Sequence, residues 1–199
     1  MALPVFSFRG PRWNSFTLIE LLVVIAIIAI LAALTLAAAE AVITKGARSR
    51  ASAEIQAMSS ALESYKADNG TYPLTNTFSG TNAYSQTDPT SPSYVNSAQL
   101  LYQALSGKTN FSDAPIAGTK VYMPFKANQV ANTTTGAGPS NVQDPWGYSY
   151  GYYTGDTNNP QTAPPYNGSG FFDLWSTGGA LTTTSGGYTN TWISNWQSQ

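Results

Sequence analysis

The chain has 199 residues, a formal net charge of −1, no cysteine and no histidine. These absences exclude disulfides, thiolate metal sites and nucleophilic catalysis of the Ser-His-Asp or Cys-His kind. Only three cations, Lys108, Lys120 and Lys126, follow Gly70, so the distal part offers no basic surface for nucleic acid. The length suits one domain plus a membrane segment.

The chain begins with a basic segment followed by a long apolar run. Residues 1–15 contain Arg9, Arg12 and no acidic residue, and we interpret them as a cytoplasmic leader peptide. Residues 16–39 hold one ionisable side chain, Glu20. As a helix this run would extend roughly 36 Å, enough to cross a hydrocarbon core of about 30 Å. It exceeds the ~7–15 residues of a secretory signal core, so the pattern predicts a single transmembrane helix with an acidic group that needs a partner.

Residues 40–69 predict an amphipathic continuation of the same helix. Glu54, Glu63 and Lys66 lie off its apolar face. Asn69-Gly70 is a typical helix end. The apolar residues recur at helical spacing and are Ala51, Ile55, Met58, Leu62 and Tyr65.

Residues 70–199 predict a globular head that includes a variable loop region, 74–140. Within that region, residues 97–105 favour a short helix with Ser97 as its N-cap. Residues 120–125 (KVYMPF) favour an edge strand because Pro124 removes a backbone donor. Residues 132–138 are rich in Thr and Gly, which indicates a loop.

The last sixty residues have a strand pattern. Residues 144–147 (DPWG) have the residue preferences of a type I turn. Alternating tyrosines then predict a strand over 148–152, and residues 171–176 and 191–196 predict two more. The predicted fold class is α+β: a long N-terminal helix, one half transmembrane and one half amphipathic, packed on a small antiparallel sheet.

The residues around the start of the apolar run match a known family. Residues 15–22 (SFTLIELL) and the apolar residues after them closely resemble the cleavage and methylation motif of type IV pilin-like proteins. The resemblance implies that a prepilin peptidase cuts between Ser15 and Phe16 and methylates the new amino group of Phe16. It also implies that Glu20 meets the N-terminal amine of a neighbouring subunit during filament assembly.

Other segments are similar to the major pseudopilin of type II secretion systems. They are residues 65–73 (YKADNGTYP), 144–147 (DPWG), 172–179 (FDLWSTGG) and 193–196 (ISNW). This similarity implies a structural subunit, not an enzyme, with its head in the periplasm. The implied partners are copies of itself, minor pseudopilins and an inner-membrane assembly platform.

Three features depart from the family pattern. Ser15 stands before the cut, where Gly is usual. Ala29 and Ala37 stand where Gly and Pro commonly loosen the helix, so we expect a more continuous helix. The major pseudopilin binds calcium through acidic side chains of its C-terminal loop. Here Asp173 is the nearest carboxylate, because residues 176–196 contain no Asp or Glu. We therefore expect weak or no calcium binding, since calcium takes six to eight oxygen ligands, and no other cofactor.

Two alternatives to the pseudopilin remain open. One is a surface type IV pilin for adhesion, motility or DNA uptake, although such pilins often carry a disulfide that this chain cannot form. The other is a membrane-anchored carbohydrate-binding module in which aromatic rings stack on sugars; the candidate rings are Trp146, Tyr148, Trp175 and Trp192.

Overall fold

The computed structural model describes residues 16–75, 88–134, 138–154, 167–168, 170–180 and 192–196. The chain divides into two compact units, one up to Thr44 and one from Lys45 onward. Each unit is described here by itself.

Helix α1 spans Leu18–Asn69 and contributes residues to both units. Neither proline nor glycine interrupts it at Ala29 or Ala37, where the sequence departs from the family pattern. It ends where predicted: the Gly70 N–H donates to the Lys66 carbonyl at 2.8 Å, and Gly70 has φ +80°. Glycine adopts that left-handed backbone without steric cost, so Gly70 terminates the helix.

Helix α2 spans Pro92–Ser106, which is longer than the segment predicted from the sequence. Ser91 lies at its N-cap with Pro92 as the first helical residue, a position that tolerates proline because its missing N–H would have no helical partner. The prediction of Ser97 as N-cap is wrong. Ser97 is buried inside the helix, where its hydroxyl donates to the Tyr94 carbonyl at 2.9 Å.

Over the described ranges, five short strands form two antiparallel sheets. β1 (Val130–Ala131) pairs with β2 (Asn141–Val142), and a 3-10 helix at Ala127–Gln129 precedes β1. The second sheet has the order β3-β4-β5, with β3 at Gly151–Thr154, β4 at Phe172–Ser176 and β5 at Ile193–Ser194. These three strands lie within or beside the three predicted segments.

The predicted strand over 120–125 is wrong. No strand is assigned there, and the Tyr122 and Met123 N–H groups both donate to the Leu105 carbonyl, at 2.8 and 3.0 Å. These donors therefore complete the C-terminus of α2 instead of joining a strand ladder. The strand predicted to begin at Tyr148 starts later, at Gly151.

The core of the second unit forms where α1 packs against the sheets and α2. The predicted apolar face of α1 is confirmed, because Ala51, Ile55, Met58 and Leu62 are buried and Tyr65 is half-buried. They share one cluster with residues from the other elements, including Leu101, Val142, Tyr150, Tyr152, Leu174 and Ile193. The α+β fold class is confirmed, and the part of the head that the structure describes contains two small antiparallel sheets.

Candidate assembly site

The first half of α1 exposes an apolar surface. Its large apolar side chains are exposed, between 47% at Val24 and 81% at Leu18. Within the described residues, α1 is the one helix long and apolar enough to cross a membrane. Because burying apolar surface drives folding and association, so large an exposed area indicates a membrane environment, packing against other protein copies, or both in succession.

A capping box starts this helix. Thr17 precedes the first helical residue, and its hydroxyl accepts the Glu20 N–H at 3.4 Å. The Glu20 carboxylate reaches back, so that Oε2 accepts the Thr17 N–H at 2.9 Å and the Thr17 hydroxyl at 2.7 Å. This pairing satisfies orphan donors at the helix N-terminus. The Thr-x-x-Glu spacing was readable in the sequence as a capping box, and our sequence analysis missed it.

The capping box holds the Glu20 carboxylate beside the predicted cleavage site. Glu20 Oε2 accepts the N–H of Thr17. Thr17 directly follows Phe16, the residue after the predicted cut. In the described part of the chain, Oε1 accepts no hydrogen bond, so one carboxylate oxygen remains for a further donor. An ammonium group is the strongest such donor, because a charge-assisted hydrogen bond exceeds a neutral one. Ser15 lies outside the described residues, and processing at this bond stays a prediction.

A second carboxylate, Glu54, lies in a polar cluster that the sequence did not reveal. Its side chain was assigned to the polar side of α1, yet Glu54 is only 8% exposed. Oε2 accepts the Tyr150 hydroxyl at 2.8 Å. Oε1 accepts Arg50 Nε at 2.8 Å and Gln129 Nε2 at 3.2 Å. The cluster ties α1 to the residue directly before β3 and to the 3-10 helix, which identifies it as a structural link within the head.

Asp144 is also buried and organises the turn predicted at residues 144–147. Its Oδ1 accepts the N–H groups of Trp146 and Tyr148 at 3.0 and 2.9 Å, and Oδ2 accepts the Ser176 hydroxyl at 2.6 Å. The Gly147 N–H closes the turn onto the Asp144 carbonyl at 2.9 Å. Burial raises the pKa of the Asp144 carboxyl against the lowering effect of these hydrogen bonds. Asp144 therefore has a structural role.

Asp173, the candidate calcium ligand, lies in β4 and is fully buried. Its Oδ1 accepts the backbone N–H and the side-chain Nδ2 of Asn167 at 3.2 and 3.1 Å. Over the described ranges, no group of three or more acidic, His or Cys side chains could hold a metal. Residues 181–191 of the C-terminal loop lie outside those ranges, so the expectation of weak or no calcium binding at Asp173 stays a prediction.

The aromatic residues considered for sugar stacking do not form an open platform. Trp175 is 1% exposed and Trp192 is 9% exposed, and their rings stack with centroids 5.9 Å apart. Trp146 and Tyr148 are partly covered, and Trp146 lies against Gly179. The alternative of a sugar-binding platform built from these four rings is not supported, because two of them fill the interior.

Comparison with known proteins identifies the N-terminal stretch. Residues 14–36 match a family model described as the prokaryotic N-terminal methylation motif. The match covers the capping box of Thr17 and Glu20 and most of the exposed apolar surface of α1. No curated protein and no solved structure matches the chain.

Proposed function

We propose that this chain, a type IV pilin-like protein by its N-terminal motif and its fold, is a pseudopilin that polymerises into a periplasmic filament for type II protein secretion. The observation that carries the proposal is the exposed apolar half of α1, headed by Glu20 and lying within the methylation motif. The motif implies processing by a prepilin peptidase and assembly into filaments. Subunits of this kind are typically structural, not enzymatic.

Assembly begins in the membrane. The apolar half of α1 anchors the subunit in the inner membrane with its head in the periplasm, and cleavage before Phe16 creates a new positively charged amine. The Glu20 carboxylate of a neighbouring copy receives that amine through the oxygen that the capping box leaves open. Two opposite charges offset each other's desolvation in a low-dielectric filament core, whereas either alone would be costly.

The apolar side chains then exchange lipid for protein. Within the described part of the chain, the large apolar side chains from Leu18 to Leu36 are about half exposed or more. In a filament, the same surface packs against the α1 helices of other copies. One segment therefore serves as membrane anchor before assembly and as filament core after it.

Features of the head favour a pseudopilin of a secretion system over a surface pilin. The DPWG turn, the FDLWS strand and the ISNW segment, which resemble the major pseudopilin, are all built into the head as a turn, β4 and β5. The chain has no cysteine to close the disulfide that surface pilins often carry. The proposed partners are further copies, minor pseudopilins and an inner-membrane assembly platform.

A gene deletion distinguishes the two kinds of filament. We expect deletion to remove secreted proteins from the culture medium while electron microscopy still shows the same surface pili. Complementation with wild-type chain or with Glu63→Ala restores secretion, because Glu63 is an exposed residue of the head half of α1. Glu20→Ala does not restore it. Loss of surface pili with unchanged secretion would instead establish the surface pilin.

A further inference from the structure

An open groove runs along the second half of α1. One wall is the helix surface from Ser52 to Glu63, and the other is formed by Asn167, Phe171 and the start of β4, with Ser194 and Asn195 at one side. Its volume is about 650 Å³, within the range of ligand-binding clefts, roughly 300–1,000 Å³. The groove lies wholly within the second unit.

Two buried hydroxyls in this groove have no hydrogen-bond partner among the described residues. Ser59 on α1 and Ser194 on β5 both line the groove, and the Oγ of each is buried without a donor or acceptor. Ser194 is only 9% exposed. A buried unpaired hydroxyl is unfavourable, and a serine Oγ turns into a groove by rotation about one bond. Both hydroxyls are therefore available to a ligand that enters the groove and supplies hydrogen bonds.

The remaining lining defines the chemistry of that ligand. Gln56 and Glu63 add an amide and a carboxylate along the helix wall, and the Phe171 ring is 53% exposed at the other wall. No described lining residue is a cation. The nearby Lys66 is engaged elsewhere, since its Nζ donates to the Gly170 carbonyl at 3.3 Å and lies 4.3 Å from the centre of the Tyr72 ring. The lining disfavours an anionic ligand, and its many polar groups disfavour a lipid chain.

We propose that this groove binds a neutral oligosaccharide. Sugar hydroxyls both donate and accept, so they pair with the Ser59 and Ser194 hydroxyls, which also do both. The Glu63 carboxylate accepts from a further sugar hydroxyl, and the apolar face of a sugar ring covers Phe171. The groove is distinct from the four aromatic residues of the core, and the proposal does not depend on the secretion role.

Saturation-transfer NMR on the full-length protein tests the proposal. The protein is held in dodecylphosphocholine, because a detergent with a sugar head group would compete for the groove. The probes are maltotriose, cellotriose, triacetylchitotriose and an anionic heparin hexasaccharide. We expect transfer to at least one neutral trisaccharide and none to the heparin fragment. Transfer to none of the neutral probes, or to the heparin fragment alone, would overturn the proposal.

Variants locate the binding site. Ser194→Ala and Phe171→Ala should each weaken binding about fivefold to tenfold, as expected for one lost hydrogen bond or ring contact. Ser64→Ala is the matched control, because Ser64 lies on the same helix outside the groove and its hydroxyl donates to the Ser60 carbonyl. Affinity that stays unchanged in both groove variants, or that falls equally in Ser64→Ala, would contradict the assignment. Filament assembly is scored separately and should not change.

Discussion

Glu54→Ala removes the central acceptor of the polar cluster that ties α1 to the head. The substitution leaves the Tyr150 hydroxyl, which is fully buried, without its acceptor at 2.8 Å. It also removes an acceptor from Gln129 and breaks the ion pair with Arg50. We therefore expect the head to lose stability without any change in the exposed half of α1.

The magnitude follows from these three contacts. A hydrogen bond to a charged group contributes ~1.5–3 kcal/mol, and a buried hydroxyl left unpaired costs ~1–3 kcal/mol. The Arg50 side chain is 40% exposed, so its ion pair adds only a few tenths of a kcal/mol. We expect Glu54→Ala to lower the free energy of unfolding by about 3 kcal/mol. For a unit of this size that corresponds to a fall in Tm of about 6–12 °C.

A double-mutant cycle with Tyr150→Phe measures the contact directly. Tyr150→Phe alone should cost about 1–2 kcal/mol, because Glu54 keeps Arg50 and Gln129. Thermal unfolding of each full-length variant, followed by tryptophan fluorescence, should give a coupling of about 1–2 kcal/mol. Glu63→Ala is the control: Glu63 is exposed and accepts the Tyr72 hydroxyl, so it should cost at most about 1 kcal/mol. Additive effects in the cycle would refute the assigned role of Glu54.

Three further predictions concern other parts of the chain. Burial raises the pKa of the Tyr150 and Tyr152 hydroxyls well above the usual 10. Their contribution to stability is therefore complete below pH 10 and is lost progressively as the pH rises above 10. A Tm that falls between pH 10 and 12 checks this prediction. Gly151→Ala places a Cβ in direct collision with the Trp175 ring and should cost about 3 kcal/mol or more in unfolding free energy. Glu20→Ala should leave a processed, membrane-bound subunit that forms no filament, which shearing and sedimentation measure.

Each of these has a contrary result. The chain has 12 tyrosines, so the Tyr150 signal is the difference between the wild type and Tyr150→Phe; a difference that titrates at pH 10 with the head still folded would show that this hydroxyl is not protected. Gly46→Ala, at a helical position with nothing within 4 Å of the added Cβ, should be neutral or slightly stabilising; equal losses in the two glycine variants would rule out the clash. Normal filament yield from the Glu20 variant would remove its assembly role.

The sequence predicted elements whose signal is local. The apolar face of α1 follows from spacing alone, and Asn69-Gly70 ends the helix because only glycine adopts its φ freely. The β4 segment is predicted because four of the six residues at 171–176 are apolar or aromatic. Ser91-Pro92 also carries a local signal for the start of α2, which the prediction of Ser97 as N-cap overlooks.

The remaining features depend on partners that are distant in the chain. The burial of Glu54 is made possible by Gln129 and Tyr150, 75 and 96 residues away, and spacing on one helix cannot reveal them. The 120–125 segment has strand-like composition, yet its N–H groups donate to Leu105 at the end of α2. Similarly, Trp175 and Trp192 could be taken for a surface platform until their burial was visible.

The N-terminus of the mature protein tests the central claim most directly. Full-length protein is isolated from membrane and sheared fractions, and its first residue is determined by Edman degradation and by mass spectrometry of the N-terminal peptide. Assembly through Glu20 requires the amine that cleavage creates, so we predict N-methylated Phe16 as the first residue in both fractions. A chain that still begins at Met1 in a sheared filament would contradict the account.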